Sequence, residues 1–286
     1  MSEPIRAHEA SGRYFTAAGV RSFVLDHGDG PAVVCLHGVP ASSYLYRKVL
    51  PELAGHGLRG LAFDLPGLGL AERPEDFDYT WSGLGRWAVA AVDALGLDRF
   101  HLVVHDIGGP VGFELAAALP DRIASLTVLN TMVEVADFRR PWSMEPFAHR
   151  GLGEAYLRLL SKPAFRVLMR RQGIADAAAV PDAELDAYVD LLKRGDGGRA
   201  FLRIMRGFET TAAKQQLYLG TLTGERYPVQ AVWGARDPAL TLADKGEAVR
   251  RAAGLEEVRT VPGKHFLQED QAGPVARMVA ELVQRA

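Results

Sequence analysis

At 286 residues the chain can hold one large domain or two small ones, and with 48% hydrophobic residues it has ample material for a substantial core. Basic and acidic residues nearly balance, 33 against 35 for a net charge of −2, which excludes the charge footprint of a nucleic-acid or anionic-membrane binder. The expected partners are a small, largely uncharged substrate and water, and the single cysteine, Cys35, excludes an internal disulfide.

From the N-terminus, Met1 to Ala10 lacks an apolar stretch of signal-peptide length, and no run is long enough to span a bilayer. With Cys35 in the apolar run Ala32-Val33-Val34-Cys35-Leu36, a buried thiol in a reducing cytoplasm is the expectation. Two short strands over 13–16 and 20–25 end at His27-Gly28-Asp29-Gly30, and a buried strand over 32–36 runs into His37-Gly38-Val39-Pro40. A helix over about 43–54 and a strand over 59–63 follow. The next loop contains Gly67 and Gly69, but it lacks a third glycine and Arg73-Pro74 stops a helix from starting, so it does not make a dinucleotide fingerprint. A helix over 81–95 then returns the chain to the sheet. This alternation predicts a mostly parallel sheet covered by helices on both faces.

The next strand, over 99–104, enters Val103-Val104-His105-Asp106-Ile107-Gly108-Gly109, and helix-like sequence resumes at once. So tight a strand-to-helix turn strains the residue at its apex and requires neighbours without side chains, a demand met by Gly108 and Gly109. Asp106 therefore reads as a nucleophile, the competing reading being a simple helix N-cap. His101 and His105 share the parity of this strand, but no third ligand accompanies them. Hydrogen bonding around the turn, or simple packing, is expected of both, and no metal site.

A strand over 124–129 ends at Asn130-Thr131. From 132 to 227 the pattern changes to short helices with scattered aromatic residues and many arginines, read as a helical cap inserted into a core of 1–131 and 228–286. Most of those aromatics should pack the cap, and a minority should line a pocket. The core resumes with a strand over 229–233, then Gly234-Ala235-Arg236-Asp237-Pro238, a helix over 242–252 and a strand over 257–261. It closes with Pro262-Gly263-Lys264-His265-Phe266-Leu267-Gln268-Glu269-Asp270 before a last helix. Asp106, Asp237 and His265 thus each follow the end of a strand, in the order nucleophile, acid, histidine.

With these residues the chain resembles the aspartate-nucleophile branch of the α/β-hydrolases, which contains haloalkane dehalogenases and soluble-type epoxide hydrolases. The resemblance covers roughly 20–131 and 228–284. The pieces most similar to haloalkane dehalogenases are His37 to Arg47, His105-Asp106-Ile107-Gly108-Gly109, and His265 to Asp270. It implies an α/β-hydrolase fold, no metal or organic cofactor, and a catalytic set of Asp106, Asp237 and His265. It also implies an oxyanion hole made by the backbone N–H groups of Val39 and Ile107. One dehalogenase subgroup carries its acid after the strand that follows the nucleophile helix. Here Asn130 stands there, which leaves the role to Asp237 rather than Glu134.

Two departures bear on the substrate. Dehalogenases usually have Trp after the nucleophile, and many have Asn after His-Gly, where this chain has Ile107 and Val39. An aliphatic pair cannot donate hydrogen bonds to a leaving halide, so a cap residue such as Trp142 would have to do so. Epoxide hydrolases instead use two cap tyrosines. Tyr156 fits the place of the first, Phe208 stands near that of the second, and Tyr218 lies further along. These four are the candidate pocket residues.

The chemistry that follows is attack of Asp106 on an electrophilic sp³ carbon, giving an alkyl ester that His265-activated water hydrolyses. The main reading is a haloalkane dehalogenase-like hydrolase, with epoxide hydrolysis as the alternative. An ester or lactone hydrolase, in which Asp106 would act on an acyl carbon, is a further one; Ser42 and Ser43 are the only serines near the oxyanion loop and are expected to open a helix. A pure ligand receptor on the same fold has no use for a strained turn.

Overall fold

The computed structural model describes residues 2–223 and 225–286. Eight strands form one sheet: β1 (Gly12–Ala17), β2 (Val20–His27), β3 (Ala32–Leu36), β4 (Arg59–Phe63), β5 (Phe100–His105), β6 (Ile123–Leu129), β7 (Val229–Gly234) and β8 (Arg259–Val261). Their spatial order is β1-β2-β4-β3-β5-β6-β7-β8. The β1–β2 and β2–β4 pairs are antiparallel and all others are parallel.

Strand alternation explains why the inner strands are apolar on both sides. Val34, Leu36, Leu102, Val104, Leu126 and Val128 belong to one buried cluster, and Val33, Cys35, Val103 and Leu129 to another, one on each face of the sheet. Burial also raises the Cys35 thiol pKa, making it an inert packing group.

The connections place the site. From β3 the chain moves outward to β4 and then returns to lay β5 on the other side of β3, so the direction of winding reverses between β3 and β5. A crevice opens at the carboxyl ends of the strands at such a reversal. Register puts Leu36 opposite Val104, which sets the loop after β3 beside the turn after β5. Between β6 and β7, which are neighbours, the chain makes a long helical excursion with no strand among its described residues. It includes the helices Leu152–Leu159, Lys162–Leu168, Asp182–Lys193, Arg199–Arg206 and Ala212–Gly220.

Several elements differ from the expectations. The helix expected over 43–54 splits into a 3₁₀ turn, Ser43–Tyr46, and a helix, Val49–Gly55. Pro51 lacks an N–H and is tolerated only in a first helical turn, so the helix starts just before it. Strand β8 is shorter than expected because it is an edge strand that meets β7 over only Arg259, Thr260 and Val261. A helix at Glu3–Ala10 was not expected. Its Pro4 stands in the first turn, and Ile5 and His8, three apart, face inward.

Candidate active site

The turn after β5 holds Asp106 at φ 54°, left-handed backbone that costs a non-glycine residue about 1–3 kcal/mol. Close approach explains the glycines around it. A Cβ on Gly108 would lie 2.5 Å from Leu36 O, one on Gly109 would lie 2.0 Å from Thr131 Oγ1, and one on Gly38 would lie 2.2 Å from Asp106 Oδ1. The strained residue is tied to the end of β6: Asp106 N–H donates to Asn130 O at 3.2 Å, and Thr131 Oγ1 donates to Asp106 O at 2.5 Å. The helix Gly108–Ala118 begins after Ile107 with no side chain capping it. The N-cap reading of Asp106 therefore fails, and its carboxylate is turned elsewhere.

Asp106 Oδ1 accepts the Val39 N–H at 2.8 Å, and Oδ2 lies 3.5 Å from His265 Nε2. Burial works to raise the Asp106 pKa, but His265, through its hydrogen bond and charge, and the Ile107 N–H more than offset it, holding the carboxyl below its usual range. The two backbone donors assigned to the oxyanion hole thus both act on this carboxylate.

His265 Nδ1 lies 2.8 Å from Asp237 Oδ2, and that carboxylate is fixed on every side. Its Oδ1 accepts the N–H groups of Ala239 and Leu240 at 2.8 and 3.0 Å, and its Oδ2 also accepts Asn130 Nδ2 at 2.6 Å. Burial opposes a charged imidazole here, yet Asp237 and Asp106 together lift His265 to about 10. Asp237 is lowered despite its burial, chiefly by His265. Geometry and charge give an imidazolium held between two carboxylates, one strained and facing the cavity, the other buried behind it.

The remaining histidines in the neighbourhood hold the scaffold. His105 Nε2 lies 2.8 Å from His265 O, and since a carbonyl only accepts, Nε2 carries the proton. Burial and the positive His265 lower the His105 pKa to about 4, so it is neutral, with Nδ1 bare and unpartnered. His101 Nδ1 pairs with Ser125 Oγ at 2.8 Å. His37 Nε2 accepts the Leu65 N–H at 3.0 Å, so its Nδ1–H donates to Gly38 O at 2.9 Å and steadies the loop carrying Val39.

Asp106, Val39, Ile107 and His265 open onto a cavity of about 90 Å³. Its wall is mainly Phe, Leu and Met from the helical excursion, interrupted by Arg140, Ser143, Tyr156 and Gln172. Of the four pocket candidates, Tyr156 and Phe208 line it. Trp142 and Tyr218 do not, and these two expectations are corrected. Trp142 is 75% exposed. Tyr218 is buried against Trp81 and Phe113, and its hydroxyl donates to Glu114 at 3.0 Å. Ser42 and Ser43 are also outside the wall: Ser42 Oγ accepts the Tyr44 N–H, and Ser43 Oγ lies 3.3 Å from His8 Nε2. Glu134 pairs with Arg251 at 3.4 Å.

Residues 31–272 match the family model for the alpha/beta hydrolase fold. The chain belongs to that family. A haloalkane dehalogenase of Mycolicibacterium paratuberculosis is 31% identical to it over 91% of this chain and 86% of its own length. Among solved structures, Cfl2 of Burkholderia cenocepacia superposes with a TM-score of 0.82 at 26% identity, covering 94% of each chain. The epoxide hydrolase VrEH1 of Vigna radiata shares the fold with a TM-score of 0.76 at 24% identity, over 96% of this chain and 98% of its own. This α/β-hydrolase is an enzyme of the broad type that takes in haloalkane dehalogenases and epoxide hydrolases. No helix among its described residues is long and apolar enough to cross a membrane.

Sequence reasoning missed three groups at the site. Asn130 drew notice only as the place where an acid is missing, whereas its amide bonds Asp237 and its Oδ1 accepts the Gly234 N–H at 2.9 Å. A polar residue at the end of a buried strand beside β7 was the available signal. His37 carried a signal in its position before Gly38, but its partner Leu65 is distant in sequence. Arg140 was one of many arginines in the excursion, and nothing local marks it as facing inward.

Proposed function

We propose that this enzyme hydrolyses small molecules bearing an electrophilic sp³ carbon, through an ester formed on Asp106. The observation that carries this reading is the Asp106 carboxylate itself, strained into the cavity, with Oδ1 on the Val39 N–H and Oδ2 facing His265. Oδ2 attacks the carbon, the new C–O bond forms, and the leaving group departs with the electron pair of the bond it breaks. Oδ1 becomes the ester carbonyl oxygen.

Esterification removes the Asp106 charge, one of the groups that raise the His265 pKa, so the imidazolium gives up its proton, to solvent when a halide leaves or to the alkoxide when an epoxide opens, and becomes a base. His265 Nε2 then takes a proton from water while the water oxygen attacks the ester carbon. The N–H groups of Val39 and Ile107 hold the resulting oxyanion. Collapse expels the alcohol oxygen, which takes the proton from His265, and the Asp106 carboxyl left behind passes its remaining proton to His265, restoring the starting carboxylate and imidazolium. Asp237 orients the imidazole throughout. In this reading the helical residues 132–227 act as a cap that supplies most of the pocket wall and keeps water scarce around the ester.

A halide leaving group is favoured by the likeness to haloalkane dehalogenases. Epoxide opening has one specific support, the Tyr156 hydroxyl in the wall, although Tyr218 is engaged elsewhere and Phe208 has no hydroxyl. Acyl transfer from Ser42 or Ser43 has none, since neither reaches the cavity.

The test is to trap the ester. A His265→Gln variant, incubated with primary bromoalkanes or terminal epoxides and digested, should carry the substrate mass on the peptide containing Asp106, and Asp106→Ala should abolish it. Turnover without that mass would overturn the assignment. Tyr156→Phe should depress epoxide turnover alone if epoxides are the substrates.

A further inference from the structure

The wall that faces Asp106 contains one cation. Among the described residues Arg140 is the only Lys or Arg lining this cavity, and it makes no ion pair with any of them. Its guanidinium stacks on Phe208, with the central carbon 4.4 Å from the ring centroid, and Nη2 donates to Met205 O at 2.8 Å. Nε is buried with no hydrogen-bond partner. Burial lowers its pKa, and the acid acting on it in return is Glu145, whose own carboxylate is half-exposed and pairs with His149 at 3.1 Å.

A guanidinium placed against an apolar wall without an anion is costly, because the water lost from it is not replaced by a carboxylate. Stacking and one carbonyl fix the plane of Arg140 but leave donors of a rigid fork suited to carboxylates without an acceptor.

We propose that the cavity takes substrates carrying a carboxylate, held by Arg140 at the end of the molecule away from the carbon that Asp106 attacks. The proposal rests on the ester mechanism above and narrows its substrate class, replacing the expectation of an uncharged substrate. Arg140 and Asp106 are distinct lining groups of the same cavity, so a bound anion can pair with the cation while the reacting carbon meets the nucleophile. The reaction is the same substitution, a C–O bond to Asp106 formed as the carbon–halogen or epoxide C–O bond breaks, and a hydroxy acid is released after water attacks the ester.

The test pairs substrates that differ only at the far end, 6-bromohexanoate and 1-bromohexane, in the wild-type enzyme and in Arg140→Met and Arg140→Lys. The unreactive pair hexanoate and hexanol is followed by calorimetry. Wild type should prefer the bromoacid and bind hexanoate over hexanol. Arg140→Met should raise KM for the bromoacid by about tenfold or more relative to its effect on the bromoalkane. Arg140→Lys should keep part of the preference, which separates lost charge from lost packing.

Equal losses on both bromides would make Arg140 a structural residue or a partner of the leaving halide, and would overturn the proposal. So would failure of wild type to bind hexanoate. If hexanoate binds in an Arg140-dependent way but neither bromide leaves an ester on Asp106, the anion subsite stands and the ester mechanism falls.

Discussion

Asn130 Nδ2 and His265 Nδ1 meet on one oxygen, Asp237 Oδ2, at 2.6 and 2.8 Å. Asn130 stands at φ 27°, left-handed backbone at the end of β6, and its Oδ1 is held by the Gly234 N–H of β7. Two neighbouring strands thus clamp the carboxylate that orients the imidazole. Asn130→Ala should remove a charge-assisted bond to a buried acid, lowering kcat by about tenfold or more with little change in KM, because no substrate contact is lost. Asn130→Ser, which keeps a shorter donor, should recover part of the rate. Steady-state kinetics on both variants checks this, and a purely structural role would show as parallel losses in folded protein and activity.

His265 gives a pH dependence with a definite sign. Its folded pKa of about 10 lies above the unfolded value of 6.5, so its contribution to stability is full below 6.5 and is lost as pH rises through about 10. The difference in melting temperature between wild type and His265→Gln should shrink over that window. Asp106→Asn removes one of the raising charges, so the His265 imidazole should titrate at lower pH in that variant, as NMR of the ring protons would report. An unchanged titration would mean that Asp106 does not govern the proton on His265.

Gly38 should tolerate no side chain. A Cβ there would stand 2.2 Å from Asp106 Oδ1 and 2.3 Å from Asp106 Cβ, and relief requires moving either the strained turn or the loop that presents Val39. Gly38→Ala should cost about 1–3 kcal/mol of stability and nearly all activity. Gly55→Ala, at a helical position with nothing within 4 Å of the added carbon, is the control and should be neutral or mildly stabilising. Denaturant melts and turnover of the two variants make the comparison.

A buried ion cluster joins the core to the helical excursion. Arg47 bonds both oxygens of Glu269 at 2.6 and 2.8 Å. Tyr188 also donates to Glu269, and Glu184 reaches Arg47 from the same helix, Asp182–Lys193. Glu269 is fully buried and lies four residues after His265. Glu269→Ala should leave Arg47 without its main partner and cost about 3–5 kcal/mol, measured by urea unfolding. The catalytic rate should fall as well, since Phe266 N–H donates to Gly173 O of the excursion at 2.8 Å and the histidine loop is anchored through the same contact region.

What the sequence determined by itself was local and ordered along the chain. The inner strands were legible because burial on both sheet faces demands continuous apolar runs, and the Asp106 turn because its geometry requires glycine beside it. The order Asp106, Asp237, His265 followed from placing each after a strand, and the structure sets His265 3.5 Å from Asp106 and 2.8 Å from Asp237. The pocket was not legible. In the excursion, Trp142 and Tyr156 look alike as aromatic residues among short helices, yet one is exposed and the other lines the cavity, because facing depends on how those helices pack on the core. The same holds for Asn130, His37 and Arg140. Each acquires its role from a partner many residues away, or from the absence of one, and only the tertiary structure supplies that.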